Sequence, residues 1–181
     1  CYTNIINEIL MQLRSHQLDS LVAMQQSDKG QIIVPTGGGK TMCMIEDAKY
    51  RFNNTRRTIV VVAPRILLAN QLSADFLEHI TNVNVLHVHS GETHHTSTTK
   101  PEEIKTFCIY PLHLHTIIFT TYHSLHRIQE ADIDVDTIYF DEAHNSVQRN
   151  FIEAVEYYSM YAKRSYFFTA TPKHSRTPKK I

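Results

Sequence analysis

The sequence predicts an α/β domain whose mostly parallel β-sheet carries helices on both faces. Three observations predict it. Six short runs, at 31–34, 58–63, 83–88, 116–120, 137–140 and 165–168, are apolar and rich in β-branched or aromatic residues. Segments with apolar residues at helical spacing lie between most of them. Turn-forming or charged residues follow the runs: Pro35, Pro64 and Pro172 each come within a few residues of a run, and Asp141 directly follows Phe140. Near-continuous apolar strands alternating with amphipathic helices belong in a parallel sheet covered on both sides. In such a sheet ligands bind at the carboxyl ends of the strands, where these residues would gather.

Each element has its own signal. Ile5, Ile6, Ile9, Leu10 and Leu13 predict an N-terminal helix, and Leu18, Leu21 and Val22 a second, short one after Ser15. Met42, Ile45, Ala48 and Phe52 mark a helix after the first strand. Leu68, Leu72, Phe76 and Ile80 mark another after the second, and Val147, Phe151, Val155 and Tyr158 one after the fifth. The stretch 92–100, rich in Thr and His, predicts an exposed and variable loop. No internal repeat is visible.

Composition narrows the function. A chain of 181 residues is one domain, 1–181, large enough for a two-sided core. Eighteen basic residues balance eighteen acidic ones, so any grip on a polyanion must come from local groups rather than a global field. Cys1, Cys43 and Cys108 are odd in number and lack metal-ligand spacing, which fits a reduced, intracellular protein, cytoplasmic, nucleoid-associated or phage-encoded. No apolar run is long enough to span a bilayer, so no membrane role is expected. A start at Cys1 and a basic segment at 173–180 suggest a piece of a longer protein.

The strongest local signal is Val34-Pro-Thr-Gly-Gly-Gly-Lys-Thr41, set between a strand and a helix. Gly37, Gly38 and Gly39 let backbone N–H groups turn inward around phosphate oxygens, and the helix adds its positive N-terminal end. Lys40 would reach the β- and γ-phosphates, and the Thr41 hydroxyl would ligate Mg²⁺. Val34 stands where such loops have their first glycine. Asp141-Glu142-Ala143-His144 ends the run 137–140. Asp141 would hold Mg²⁺, and Glu142 would orient or deprotonate the attacking water. An acidic helix start explains the two carboxylates cheaply, but not the buried strand before them. Thr169-Ala170-Thr171-Pro172 closes the last strand, and its hydroxyls could bond His144 and relay the nucleotide state.

Twelve histidines invite a metal reading, above all His87 with His89, His94-His95 and His113 with His115. No cysteine or second ligand cluster completes a tetrahedral set, so hydrogen-bonded or solvated histidine is the expectation.

In order, the chain reads Gln17, Pro-Thr-Gly-Gly-Gly-Lys-Thr (35–41), Ala-Pro-Arg-Ile-Leu-Leu (63–68), Thr-Thr-Tyr-His-Ser-Leu (120–125), Asp-Glu-Ala-His (141–144) and Thr-Ala-Thr (169–171). This series resembles the motif set of the first RecA-like domain in superfamily 2 helicases with a DEAH box. Its wording is closest to the group containing type III restriction subunits and phage recombination helicases. The resemblance implies a RecA-like P-loop NTPase fold, ATP and Mg²⁺ as ligands, and a nucleic-acid partner, DNA in preference to RNA. It implies that Gln17 reads the adenine edge and that Pro35, Thr36, Gly37, Gly38, Gly39, Lys40 and Thr41 cradle the nucleotide. Arg65, Thr120 and Thr121 would touch the nucleic-acid backbone. His144, Thr169 and Thr171 would couple the two sites. A second RecA-like domain, expected in the full protein, would supply the arginine finger. Two other classes stay open: another P-loop enzyme such as a kinase, which would need an acceptor pocket and lid arginines, and a nucleic-acid binder without turnover, against which Lys40, Thr41, Asp141 and Glu142 argue.

Overall fold

The computed structural model describes residues 15–35, 39–53, 55–109, 114–144 and 150–171. The helix expected from Ile5 to Leu13 and the positions Thr36, Gly37, Gly38, Val147 and Pro172 lie outside them. In chain order the elements are α1 (Ser15–Gln26), β1 (Lys29–Pro35), α2 (Lys40–Arg51), β2 (Thr58–Ala63), α3 (Ile66–His79), β3 (Val83–Val88), α4 (Pro101–Ile109), β4 (His115–Thr121), α5 (Leu125–Ala131), β5 (Thr137–Phe140), α6 (Ile152–Tyr161) and β6 (Arg164–Thr171). The six strands form one sheet in the order β1-β6-β5-β2-β4-β3, and every neighbouring pair is parallel.

Two-sided burial explains the apolar runs. All six residues of β2 and all four of β5 are buried, as both faces of a central strand must be. Alternate residues of β2 serve opposite cores. Ile59, Val61 and Ala63 join Met24, Met44, Ile45, Leu72 and Phe76 beneath α1, α2 and α3. Val60 and Val62 join Ile104, Cys108, Leu125, Ile128 and Val155 beneath α4, α5 and α6. Among the described residues, helices therefore cover both faces, three to a side.

The structure adds α4 and α5, for which no periodicity was read, and it turns Val22 outward at 52% exposure while Leu21 is buried. The stretch 92–100 is irregular as expected, but its second half is not a free loop. His87 N–H donates to the Thr96 carbonyl at 2.9 Å and Thr98 N–H to the His87 carbonyl at 3.1 Å. The segment thus occupies backbone groups of β3, which would otherwise be an open sheet edge.

Because the sheet is all parallel, the exits of β1, β2, β4, β5 and β6 lie on one edge. Pro35, Arg65, Thr121, Asp141 and Thr171 all sit at or just beyond those exits. No helix among the described residues is long and apolar enough to cross a membrane.

Candidate nucleotide and nucleic-acid site

Gly39 enters α2 at φ 76°, in the left-handed region. Its carbonyl accepts the amide of Met42 at 3.1 Å and that of Cys43 at 3.4 Å, which starts the helix. The Gln17 side-chain amide donates to the same carbonyl at 3.0 Å. A Cβ on Gly39 would displace that amide, and the backbone angle favours glycine here. Gln17 is buried, and the structure ties it to the last glycine of the loop from which it is far in sequence.

Lys40 and Thr41 form the first turn of α2, both half-buried. Across the edge, Asp141 sits at the last rung of β5, its N–H donating to the Val62 carbonyl at 2.8 Å. Lys40 Nζ lies 2.8 Å from Asp141 Oδ1 and is also hydrogen-bonded to Glu142 Oε1. Burial alone would lower the Lys40 pKa. The nearby Asp141 and then Glu142 more than offset this, and the net shift is upward. Asp141 is shifted upward too, because its burial outweighs the pull of Lys40, and the Glu142 charge adds to the rise. The two shifts point to opposite charge preferences within one pair. The short contact favours the ionised pair, since a neutral carboxyl would leave a half-buried ammonium without its closest counter-charge. Asp141 Oδ1 has no well-directed hydrogen bond despite that contact, so a buried carboxylate oxygen remains without full satisfaction. Glu142 adopts φ 49°, a strained angle for a residue with a Cβ, and His144 Nδ1 lies 3.7 Å from Glu142 Oε2.

The expected nucleic-acid residues divide. Arg65 is exposed in extended backbone at the start of α3, where its carbonyl accepts the Ala69 amide at 3.0 Å. Thr120 does not fit a surface role. It is fully buried, and its hydroxyl donates to the Val88 carbonyl at 2.7 Å, tying β4 to β3. The Thr120 hydroxyl is thus engaged within the sheet. Thr121 is also mostly buried, and the exposed side chain at this exit is His123. Thr169 is half-buried opposite Ile33, and Thr171 pairs with Pro35 in backbone register, which brings the end of β6 alongside the start of the phosphate loop. The Thr171 side chain lies outside the described residues.

Sequence reasoning missed a buried polar link behind the site. Asp47 of α2 accepts a hydrogen bond from the Tyr139 hydroxyl and another from Arg51 Nε at 3.3 Å. Arg51 also donates to the Met24 carbonyl at 2.8 Å and the Tyr166 hydroxyl at 2.9 Å. The helix that carries Lys40 is thereby pinned to the strand that carries Asp141. The signal was two tyrosines in strands buried on both faces, since a buried phenol needs a partner.

Among the described residues no group of three or more His, Cys, Asp or Glu is arranged to hold a metal ion. His87 Nδ1 lies 3.0 Å from His89 Nε2, and the His87 ring stacks on His95 and Phe119. Burial, reinforced by His89 and His95, pushes the His87 pKa down to about 3. Cys43 and Cys108 are free, buried thiols pushed up to about 11 by desolvation.

A family model described as the res subunit of type III restriction enzymes matches residues 3–174. The ATP-dependent helicase SGS1 of Saccharomyces cerevisiae (strain ATCC 204508 / S288c) is 33% identical over 72 residues, 40% of this chain and 5% of that protein. The helicase domain of Pyrococcus furiosus Hef superposes with a TM-score of 0.66 at 25% identity, covering 95% of this chain and 35% of that one. A nuclease-deletion mutant of the type ISP restriction-modification enzyme LlaGI, solved with a DNA substrate mimic, gives a TM-score of 0.73 at 23% identity, covering 89% of this chain and 18% of that one. The chain spans a small part of each of these proteins.

Proposed function

We infer a nucleic-acid motor from one premise: the chain belongs to the family of the type III restriction enzyme res subunit, as a first RecA-like domain of the superfamily 2 helicase kind. On this reading the domain binds ATP at the edge between α2 and β5 and uses it to drive movement on, or remodelling of, nucleic acid, DNA in preference to RNA. The observation that carries it is the meeting of Lys40 with Asp141 and Glu142, residues about a hundred positions apart, at one sheet edge. A nucleotide kinase would need an acceptor pocket beside this edge.

The residues fit a magnesium nucleotide. Asp141 Oδ1 is a buried carboxylate oxygen without a well-directed donor, Thr41 offers a hydroxyl one turn from the loop, and hard oxygen donors suit Mg²⁺. Thr41 and Asp141 would hold the ion. When bound, it would supply neutralisation of phosphate charge. Lys40 holds the phosphates by a charge-assisted bond, which it makes by exchanging its contacts with Asp141 and Glu142. Release of Lys40 also frees the Glu142 carboxylate to accept a proton from the attacking water at its Oε1. Gln17, fastened to Gly39, stands where it can order the loop as well as read the base. His144 against Glu142 would sense the change and pass it to Thr169 and Thr171. Arg65, with Thr121 and the β4 exit, would grip the nucleic-acid backbone without reading sequence. A second RecA-like domain would close the site from the far side.

The test is nucleotide binding by wild type and Lys40→Ala, each checked for a cooperative melt. ATP should bind the wild type with Mg²⁺, and the variant should lose most affinity. Equal affinity in a folded variant would overturn the assignment.

A further inference from the structure

Tyr122 stands one residue beyond β4 and plays no part in the nucleotide chemistry above. Its hydroxyl donates to the main-chain carbonyl of Asp141 at 2.7 Å. That carbonyl belongs to the peptide leading into Glu142, whose φ of 49° is one that glutamate seldom adopts. The ring is 2% exposed and stacks on Phe140 and Phe151, with centroids 6.1 and 6.0 Å away. Its backbone N–H donates to the Ala63 carbonyl at 3.2 Å, which anchors it to the β2 exit just before Pro64 and Arg65. Its neighbour His123 is exposed and meets Phe151 edge-on at 6.3 Å.

We propose that Tyr122 is a positioning residue that couples nucleic-acid contact at the β2 and β4 exits to the Asp141–Glu142 peptide of the nucleotide site. The proposal rests on the motor reading. Two links carry it. The first is mechanical: a strained backbone angle persists only where its surroundings hold it, and a bond to the preceding carbonyl fixes the plane of the peptide that sets the Glu142 direction. The second is connectivity. Thr121 and His123 flank Tyr122 in the chain, and Arg65 follows the strand that accepts its N–H. A displacement of either exit by a bound phosphate backbone therefore reaches the Asp141 carbonyl through the phenol. The apolar stack holds the ring in place without the hydroxyl, so the bond is available for coupling rather than for packing.

The experiment uses Tyr122→Phe in the protein that carries this domain together with its second motor domain. Steady-state ATP hydrolysis is measured with and without single-stranded DNA, alongside thermal melting and DNA affinity. Tyr122→Phe keeps the ring and should keep the melt, the KM for ATP and the DNA affinity within about twofold, while the DNA-stimulated kcat falls about tenfold, the scale of one lost hydrogen bond. The unstimulated kcat should fall less, so the stimulation ratio shrinks. A variant stimulated as strongly as wild type overturns the coupling role. Equal falls in basal and stimulated kcat overturn it as well, since they mark static support alone. Loss of the cooperative melt also overturns it, because the hydroxyl would then be a fold anchor. A wild type that hydrolyses ATP without any response to nucleic acid overturns the motor reading itself, and this inference with it.

Discussion

The Tyr139 hydroxyl donates to the Asp47 carboxylate across the packing face between α2 and β5. Both groups are fully buried, and burial pushes Asp47 above the usual carboxylate range while Tyr139 and Arg51 pull it back. Removing the hydroxyl in Tyr139→Phe leaves a buried acceptor short of a donor, which costs about 1–3 kcal/mol. Urea unfolding should show that loss with an unchanged m-value. A shift below about 0.5 kcal/mol, the scatter of ordinary surface substitutions, would mean the link does not hold α2 against β5.

Acid should weaken the fold through His87. Its folded pKa of about 3 lies below the ordinary value of 6.5, so between these values the unfolded chain binds a proton that the folded chain refuses. Stability is therefore fully present above about 6.5 and is lost as pH falls, with a slope approaching one proton, about 1.4 kcal/mol per pH unit. His87→Phe keeps the stack on Phe119 and should flatten the slope between pH 4 and 6 by up to that amount. An unchanged slope in the variant would place the acid sensitivity elsewhere.

Much of this arrangement is legible in the sequence, for definite physical reasons. The runs 58–63 and 137–140 coincide with their strands to the residue, because interior strands of a parallel sheet must be apolar on both faces. Strands β1 and β6 extend past their apolar cores, since Lys29, Gly30 and Thr169 join the ladder through backbone groups that carry no apolar signal. Helices α4 and α5 stayed hidden because each is short and buries two or three residues, Ile104 with Cys108 and Leu125 with Ile128 and Ala131. Asp47 and Arg51 stand four apart on α2, and their burial depends on tyrosines far along the chain. The burial of Thr120 was not legible, because motif position says nothing about which way a strand turns a side chain.

Experiment can separate the roles of Thr120 and Arg65. Thr120→Val removes a buried hydroxyl bonded to Val88, so it should cost about 1 kcal/mol of stability and leave nucleic-acid affinity unaltered. Arg65→Ala should do the reverse, leaving the melt alone and weakening binding to any sequence, with the salt slope shallower by about 1. A loss of nucleic-acid affinity in Thr120→Val at an unchanged melt would restore its surface role.

Hydrolysis gives the last prediction. The groups that cradle phosphate, hold the ion and orient water, namely Lys40, Thr41, Asp141 and Glu142, all lie on the edge formed by α2 and β5. Charge that develops on the γ-phosphoryl oxygens also needs a cation facing that edge. Arg51, Arg57 and Arg164 sit together around a pocket away from it, and Arg57 and Arg164 are paired with Asp136. Arg65 is exposed at the β2 exit, where the motor reading assigns it to nucleic acid. An arginine finger contributes about 10³ to 10⁵ in turnover in related nucleotide hydrolases. The chain Cys1–Ile181 should accordingly bind ATP yet hydrolyse it near background, with or without nucleic acid. Joining a second RecA-like domain should restore turnover by that factor. In the joined protein Glu142→Gln should again suppress hydrolysis, by about 10² to 10⁴, while sparing ATP binding. The measurement is a steady-state ATPase assay on both forms. Turnover by the 181-residue chain alone at about 1–100 s⁻¹, the range of competent phosphoryl-transfer enzymes, would require an arginine from this chain or from a second copy of it. A concentration series would tell those two sources apart, because only the second copy makes specific activity rise with protein.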